Sequence, residues 1–287
     1  MYFKSLRTSQ WIKNILIFIP LFTGGTVNSG NFLSLFYVLI GFSLVVSSTY
    51  IYNDFKDIET DKNHPTKKSR PIASGSINKV SGNIFMFLLL VLGNTILFNI
   101  NERLIIYSFI YIAITLSYSE KLKYIKYFDI ISVSILFVLR VLLGSEAASV
   151  PSSVPLLLFV FFTSLGIAAG KKLSIIYNTE ITESKVKNYL REAYTDSELV
   201  HIIQSSFQLS IITYIVWIIF IKSLFVNTLP SIFLVISSVF LFIFHNIFVS
   251  KTRKGLTEEI IEITKNSKDL LITIFLFGVT SALGVFL

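Results

Sequence analysis

Apolar side chains run through the chain in nine long stretches, roughly 10–28, 32–52, 78–100, 103–119, 127–144, 153–174, 200–222, 228–249 and 268–287, with the charged residues gathered in the gaps. A stretch of about 20 residues is long enough, as α-helix, to cross a hydrocarbon core about 30 Å thick. The runs are continuous, not alternating, so they predict helices and not the strands of a barrel. The pattern therefore predicts an all-α polytopic membrane protein with nine transmembrane helices, forming a single transmembrane domain over 1–287. The first stretch follows Lys4 and Arg7 as a signal peptide would. However, it carries Lys13 and Asn14 and lacks a small-residue cleavage site, so it reads as a retained helix.

Composition agrees: 53% of residues are hydrophobic, 15% are charged, and the mean hydropathy is +0.71. There is no cysteine, which excludes disulfides, cysteine nucleophiles and thiolate metal sites. The net charge of +8 is not read as nucleic-acid binding, because the cations are sorted. Of the 25 Lys and Arg, 22 belong to the N-terminus and to the gaps after the second, fourth, sixth and eighth stretches. That one-sided excess predicts a cell-membrane protein with a cytoplasmic N-terminus. The long gaps, and so any active site in them, fall on the same face.

One gap carries more than topology. The 23 residues "NDFKDIETDKNHPTKKSRPIASG", from Asn53 to Gly75, hold four acidic and five basic side chains. Asn53, Asp57 and Asp61 recur every four residues, which on a continued helix keeps them within about 80° of one face. Asp54 and Asp61, seven apart, share a side as well. Like charges at this spacing oppose a helix unless something neutralises them. A hard divalent cation such as Mg²⁺, which pairs one or two carboxylates with waters and phosphate oxygens, suits them. Pro65 breaks the helix, and the loop returns Lys67, Lys68 and Arg70 toward the acids, while Gly75 permits a tight turn. Carboxylates for a metal facing cations for phosphate describe a diphosphate site.

The series Asn53, Asp54, Asp57, Asp61, followed by "HPTKKSRPIASG", resembles the first aspartate-rich motif of the UbiA prenyltransferase superfamily. The resemblance implies a UbiA-type helical bundle with the active site at the cytoplasmic face, Mg²⁺ as cofactor and a diphosphate substrate. Most of that superfamily carries a second D-x-x-x-D motif on the sixth helix. Here the region reads "GIAAGKKLSIIYNTE", with Lys171 and Lys172 in its place and Ile175 soon after, where an acid would be expected. Together with "LRTSQWIKN", "YSEKLKYIKYFD" and "FVLRVLLG", this is similar to the branch of decaprenyl-phosphate phosphoribosyltransferases. That branch implies 5-phosphoribosyl 1-diphosphate as donor and a polyprenyl phosphate lipid as acceptor.

On that resemblance Asp54, Asp57 and Asp61, with Asn53, serve metal and catalysis. Lys13, Lys67, Lys68, Arg70, Tyr118, Lys121, Lys123, Arg140, Lys171 and Lys172 bind substrate. Arg140 lies inside a span, where an arginine is costly and is usually kept for function. It is therefore expected to hold a substrate phosphate. An ordinary prenyltransferase moving a prenyl chain onto an aromatic acceptor is the first alternative, and a lipid or ion carrier without catalysis is the second.

Overall fold

In the computed structural model the described residues are 1–22, 29–63, 67–178, 185–222, 229–257 and 267–287. They contain helix and no strand. A short helix α1 (Tyr2–Ser5) leads into a 3-10 helix, Thr8–Phe22. There follow α2 (Ser29–Lys56), α3 (Ile58–Lys62), a 3-10 turn Lys67–Ser69, α4 (Lys79–Ile100), α5 (Leu104–Glu120), a 3-10 turn Leu122–Tyr124 and α6 (Phe128–Ala148). The chain continues through α7 (Val154–Tyr177), α8 (Lys185–Ala193), α9 (Asp196–Lys222), α10 (Leu229–Thr252) and a last helix, Lys268–Phe286. Seven of these are long and apolar enough to cross a membrane, so the protein is a multi-pass, all-α membrane protein.

Two of the nine expected spans differ in kind from the other seven. The first is not α-helical where described: it is 15 residues of 3-10 helix with Pro20 inside it. A 3-10 helix rises about 2.0 Å per residue, so 15 residues still extend about 30 Å. The fourth, α5, has 17 residues and is the shortest of the apolar α-helices.

The chain divides into two compact units, one covering most of Met1–Pro151 and the other most of Ser152–Leu287. In the first unit, Ile17 and Leu21 of the 3-10 segment pack with Leu35, Val38, Phe42 and Val45 of α2, Tyr111 of α5 and Leu139 and Leu143 of α6. Small residues let the backbones close. A Cβ on Gly93 would stand 2.6 Å from the Gly41 carbonyl oxygen, so α2 and α4 touch main chain to main chain. A Cβ on Gly144 would stand 2.0 Å from the Ile17 carbonyl oxygen, which seats the 3-10 segment directly on α6. Such small-residue contacts are how helices associate where lipid removes the hydrophobic drive. In the second unit, Ala169 and Leu173 of α7, Leu190 of the amphipathic α8, Ile203 and Phe207 of α9 and Phe244 and Phe248 of α10 form the core.

Candidate active site

The acidic motif sits where α2 ends. The backbone ladder runs on through the junction, since Asp57 N–H donates to the Asn53 carbonyl (2.9 Å) and Asp61 N–H to the Asp57 carbonyl (2.7 Å). Asp57 itself departs from helix (φ −99°, ψ 10°) and caps α3. The expected helical spacing of the acids therefore holds across a local break. Asp54 and Asp61 are buried, while Asp57 is half-buried.

The loop after His64–Thr66, three residues that lie outside the described set, folds back over this face. Arg70 N–H donates to the Lys67 carbonyl and Ser74 N–H to the Arg70 carbonyl, both at 2.9 Å. Ile72, Ala73 and Ile77 are buried, and Ile72 and Ile77 pack with Ile51 and Leu89, which anchors the loop. Gly75 takes a left-handed φ of 75°, the conformation a turn into α4 needs and glycine accepts without strain.

The result is one charge-balanced cluster with two halves. In the first, Arg70 Nη1 lies 2.6 Å from Asp61 Oδ2 and 3.4 Å from Asp54 Oδ1, and Arg7 also donates to Asp54 Oδ1. In the second, Lys123 Nζ donates to Asp57 Oδ1 (2.5 Å) and Asn53 Nδ2 to Asp57 Oδ2 (2.8 Å). Ser119 Oγ donates to Asn53 Oδ1 (3.0 Å), which orients the amide. Each motif carboxylate thus already faces a cation. Among the described residues no three His, Cys, Asp or Glu side chains stand close enough to hold a metal as they are. The donor chemistry nevertheless suits one: three carboxylates and an amide oxygen are hard oxygen ligands of the kind Mg²⁺ takes.

Of the expected substrate-binding residues, Arg70 and Lys123 reach the cluster. Lys67 and Lys68 stand on the turn beside Arg70, half-buried and exposed respectively. Tyr118 adjoins Ser119 on α5 and lies within the electrostatic reach of Asp57, Lys123 and Asp129. Lys121 is exposed at the end of α5, and Lys13 is half-buried on the 3-10 segment. Lys171 and Lys172 lie on α7 in the second unit.

Arg140 stands apart from the acids. Its guanidinium is 5.9 Å from the Phe42 ring, twelve residues or about 18 Å of helix before Asp54 on α2. It donates to Asn14 Oδ1 (2.8 Å), the Leu136 carbonyl (2.5 Å) and the Tyr111 hydroxyl (3.1 Å). Arg7, Ser119, Asn14 and Tyr111 were not singled out by sequence reasoning. Arg7 read only as an orienting charge, and Ser119 as one serine among many.

Comparison with known proteins adds the following. Residues 17–259 match the model described as the UbiA prenyltransferase family. The chain is 35% identical over 221 residues to a decaprenyl-phosphate phosphoribosyltransferase from Mycolicibacterium smegmatis, covering 75% of this chain and 69% of that protein. It is 32% identical over 219 residues to the protein of the same name from Corynebacterium glutamicum, covering 75% and 66%. The chain thus spans about two thirds of these relatives' length. A solved UbiA homologue from Archaeoglobus fulgidus, bound to DMAPP and Mg²⁺, superposes with a TM-score of 0.72 at 14% identity over 99% of this chain and 97% of that one. At that identity the likeness is one of fold.

Proposed function

The chain belongs to the UbiA prenyltransferase family, and from that premise we propose that it transfers the 5-phosphoribosyl group of 5-phosphoribosyl 1-diphosphate to a polyprenyl phosphate, releasing diphosphate. The observation that carries this reading is the 35% identity, over three quarters of the chain, to a relative named for that reaction. The balance of charge at the acidic motif supports it, because three carboxylates and their three cations are what a metal–diphosphate pair would rearrange.

Asn53, Asp54, Asp57 and Asp61 would hold Mg²⁺, which when bound supplies positive charge to the leaving diphosphate. Arg7, Arg70 and Lys123, released from the carboxylates, turn to the diphosphate oxygens, with Lys67 and Lys68 beside them. They stabilise the charge that builds as the C1–O bond breaks. The lipid phosphate oxygen forms the new bond to C1 from the opposite face, so the product has inverted configuration. A phosphate monoester is already anionic at pH 7. No general base is required, and none of the site's groups is asked to act as one. Tyr118 and Lys121 line the approach of the ribose and its phosphate. Lys171 and Lys172 take a further phosphate, an assignment that rests on their place in the motif.

The same reading gives nine membrane crossings in one domain, counting the 3-10 segment and α5. It puts the N-terminus and the site on the cytoplasmic face of the cell membrane, a reading the sorting of 22 of 25 cations supports. The test is direct. Purified protein with ribose-labelled donor, Mg²⁺ and a polyprenyl phosphate should yield labelled lipid and free diphosphate. No labelled lipid at any chain length would end this reading, and prenyl transfer from a prenyl diphosphate to an aromatic acid would replace it.

A further inference from the structure

The 3-10 segment is fastened to α2 by polar contacts in reversed order. Asn14 Nδ2 donates to Ser43 Oγ (2.9 Å), Trp11 Nε1 donates to Ser47 Oγ (3.0 Å), and Ser47 Oγ donates to the Leu6 carbonyl (2.7 Å). Arg7 lies over the Tyr50 ring (5.0 Å to its centroid) and pairs with Asp54. Ser43, Ser47, Tyr50 and Asp54 recur at i, i+4, i+7 and i+11, a single stripe of α2. The two segments therefore run antiparallel, and the stripe ends at the acidic cluster. At that end Arg7 holds a left-handed φ of 49°, a conformation non-glycine residues adopt at a cost and keep only when their surroundings impose it.

Arg140 secures the other end. It is 3% exposed, and the Phe42, Tyr111 and Phe137 rings lie within 5.1–5.9 Å of its guanidinium. Among the described residues its partners are an amide oxygen, a backbone carbonyl and a phenol, and none is a carboxylate. Guanidinium has donors only, so Asn14 must present its oxygen to Arg140 and its NH₂ to Ser43. The orientation of the fully buried Asn14 is fixed from both sides.

We propose that Arg140 is a positioning residue for the transfer reaction, locking the 3-10 segment onto α2 through Asn14 and thereby setting Arg7 against Asp54 at the acidic cluster. The inference rests on the reading of that cluster as the transfer site. It differs from a substrate-phosphate role for Arg140, because the guanidinium donates to protein groups and sits beside Phe42, twelve residues or about 18 Å of helix before Asp54.

The chain has no cysteine, so nitroxide labels can be placed at will. Labels on Thr8→Cys and Lys79→Cys, both exposed, report how the N-terminal segment sits in the first unit. Arg140→Met should broaden a narrow distance distribution, and Arg140→Lys should restore part of it. In steady state Arg140→Met should raise KM for the diphosphate donor about tenfold, whereas in an Arg7→Ala background the same change should cost less than about twofold, the non-additivity expected of coupled residues. Asn14→Ala should reproduce both effects and serves where Arg140→Met does not fold. Unchanged distances, equal losses in both backgrounds, or a raised KM for the lipid in place of the donor would overturn the proposal. If the protein catalyses a different transfer, the label distances still decide the matter, so failure of the functional reading is told apart from failure of this one.

Discussion

Asp57 is the motif acid that stands at the helix break, and two kinds of donor hold it: the Lys123 ammonium and the Asn53 amide. Asp57→Asn keeps the shape and one acceptor but removes the charge that Lys123 and a metal need. It should reduce transfer by about 10²-fold or more with little change in thermal stability, measured as initial rate and unfolding temperature in detergent. Ser119→Ala removes the hydroxyl that orients Asn53 and also reaches the Thr115 carbonyl (2.9 Å); the lost Asn53 bond is worth about 1 kcal/mol, so a loss of about fivefold is expected in the same assay. The acids were legible because helical spacing is a short-range property. Arg70, nine residues from Asp61, was expected to return to them, but the pairing with more distant residues was not legible. Arg7 is 47 residues from Asp54, and Ser119 and Lys123 are each 66 residues from the groups they hold. No local pattern marks which of many serines and cations a fold will bring across such distances.

At the scale of elements, the seat of the 3-10 segment on α6 is the most demanding contact. Gly144→Val would drive its Cβ into the Ile17 carbonyl, and overpacking of that kind costs about 1–3 kcal/mol. The variant should unfold at lower temperature. Because the displaced 3-10 segment carries Asn14 and leads from Arg7, the variant should also lose donor affinity, seen as a raised KM. Hydropathy located this segment to within a few residues but read it as an ordinary helix over 10–28. Pattern counts apolar residues and not their hydrogen-bond register, and Pro20 within the run did not distinguish a kinked α-helix from the 3-10 form. The helix break at Asp57 escaped notice for the same reason, since i→i−4 bonds continue across it.

For the whole molecule, the sorting of cations makes a prediction that needs no enzymology. Ser149, at the end of α6, and Lys62, at the end of α3, are both exposed and should lie on opposite faces. In intact cells a membrane-impermeant maleimide should label Ser149→Cys and spare Lys62→Cys. The reverse outcome would invert the topology. Fold class was legible because span length is dictated by bilayer thickness, and because charged residues, 15% of the chain, are gathered between the apolar runs. The pairing of every motif carboxylate with its own cation was not, and it has a thermodynamic corollary. On the proposed function, metal arriving alone would displace Arg7, Arg70 or Lys123 into solvent, and diphosphate arriving alone would draw the same cations away from their acids. Each ligand pre-clears the site for the other, so their affinities are linked, and linkage is reciprocal. Calorimetric titration should find Mg²⁺ binding weak in the empty protein and strengthened by diphosphate, with diphosphate strengthened by the same factor when Mg²⁺ is present.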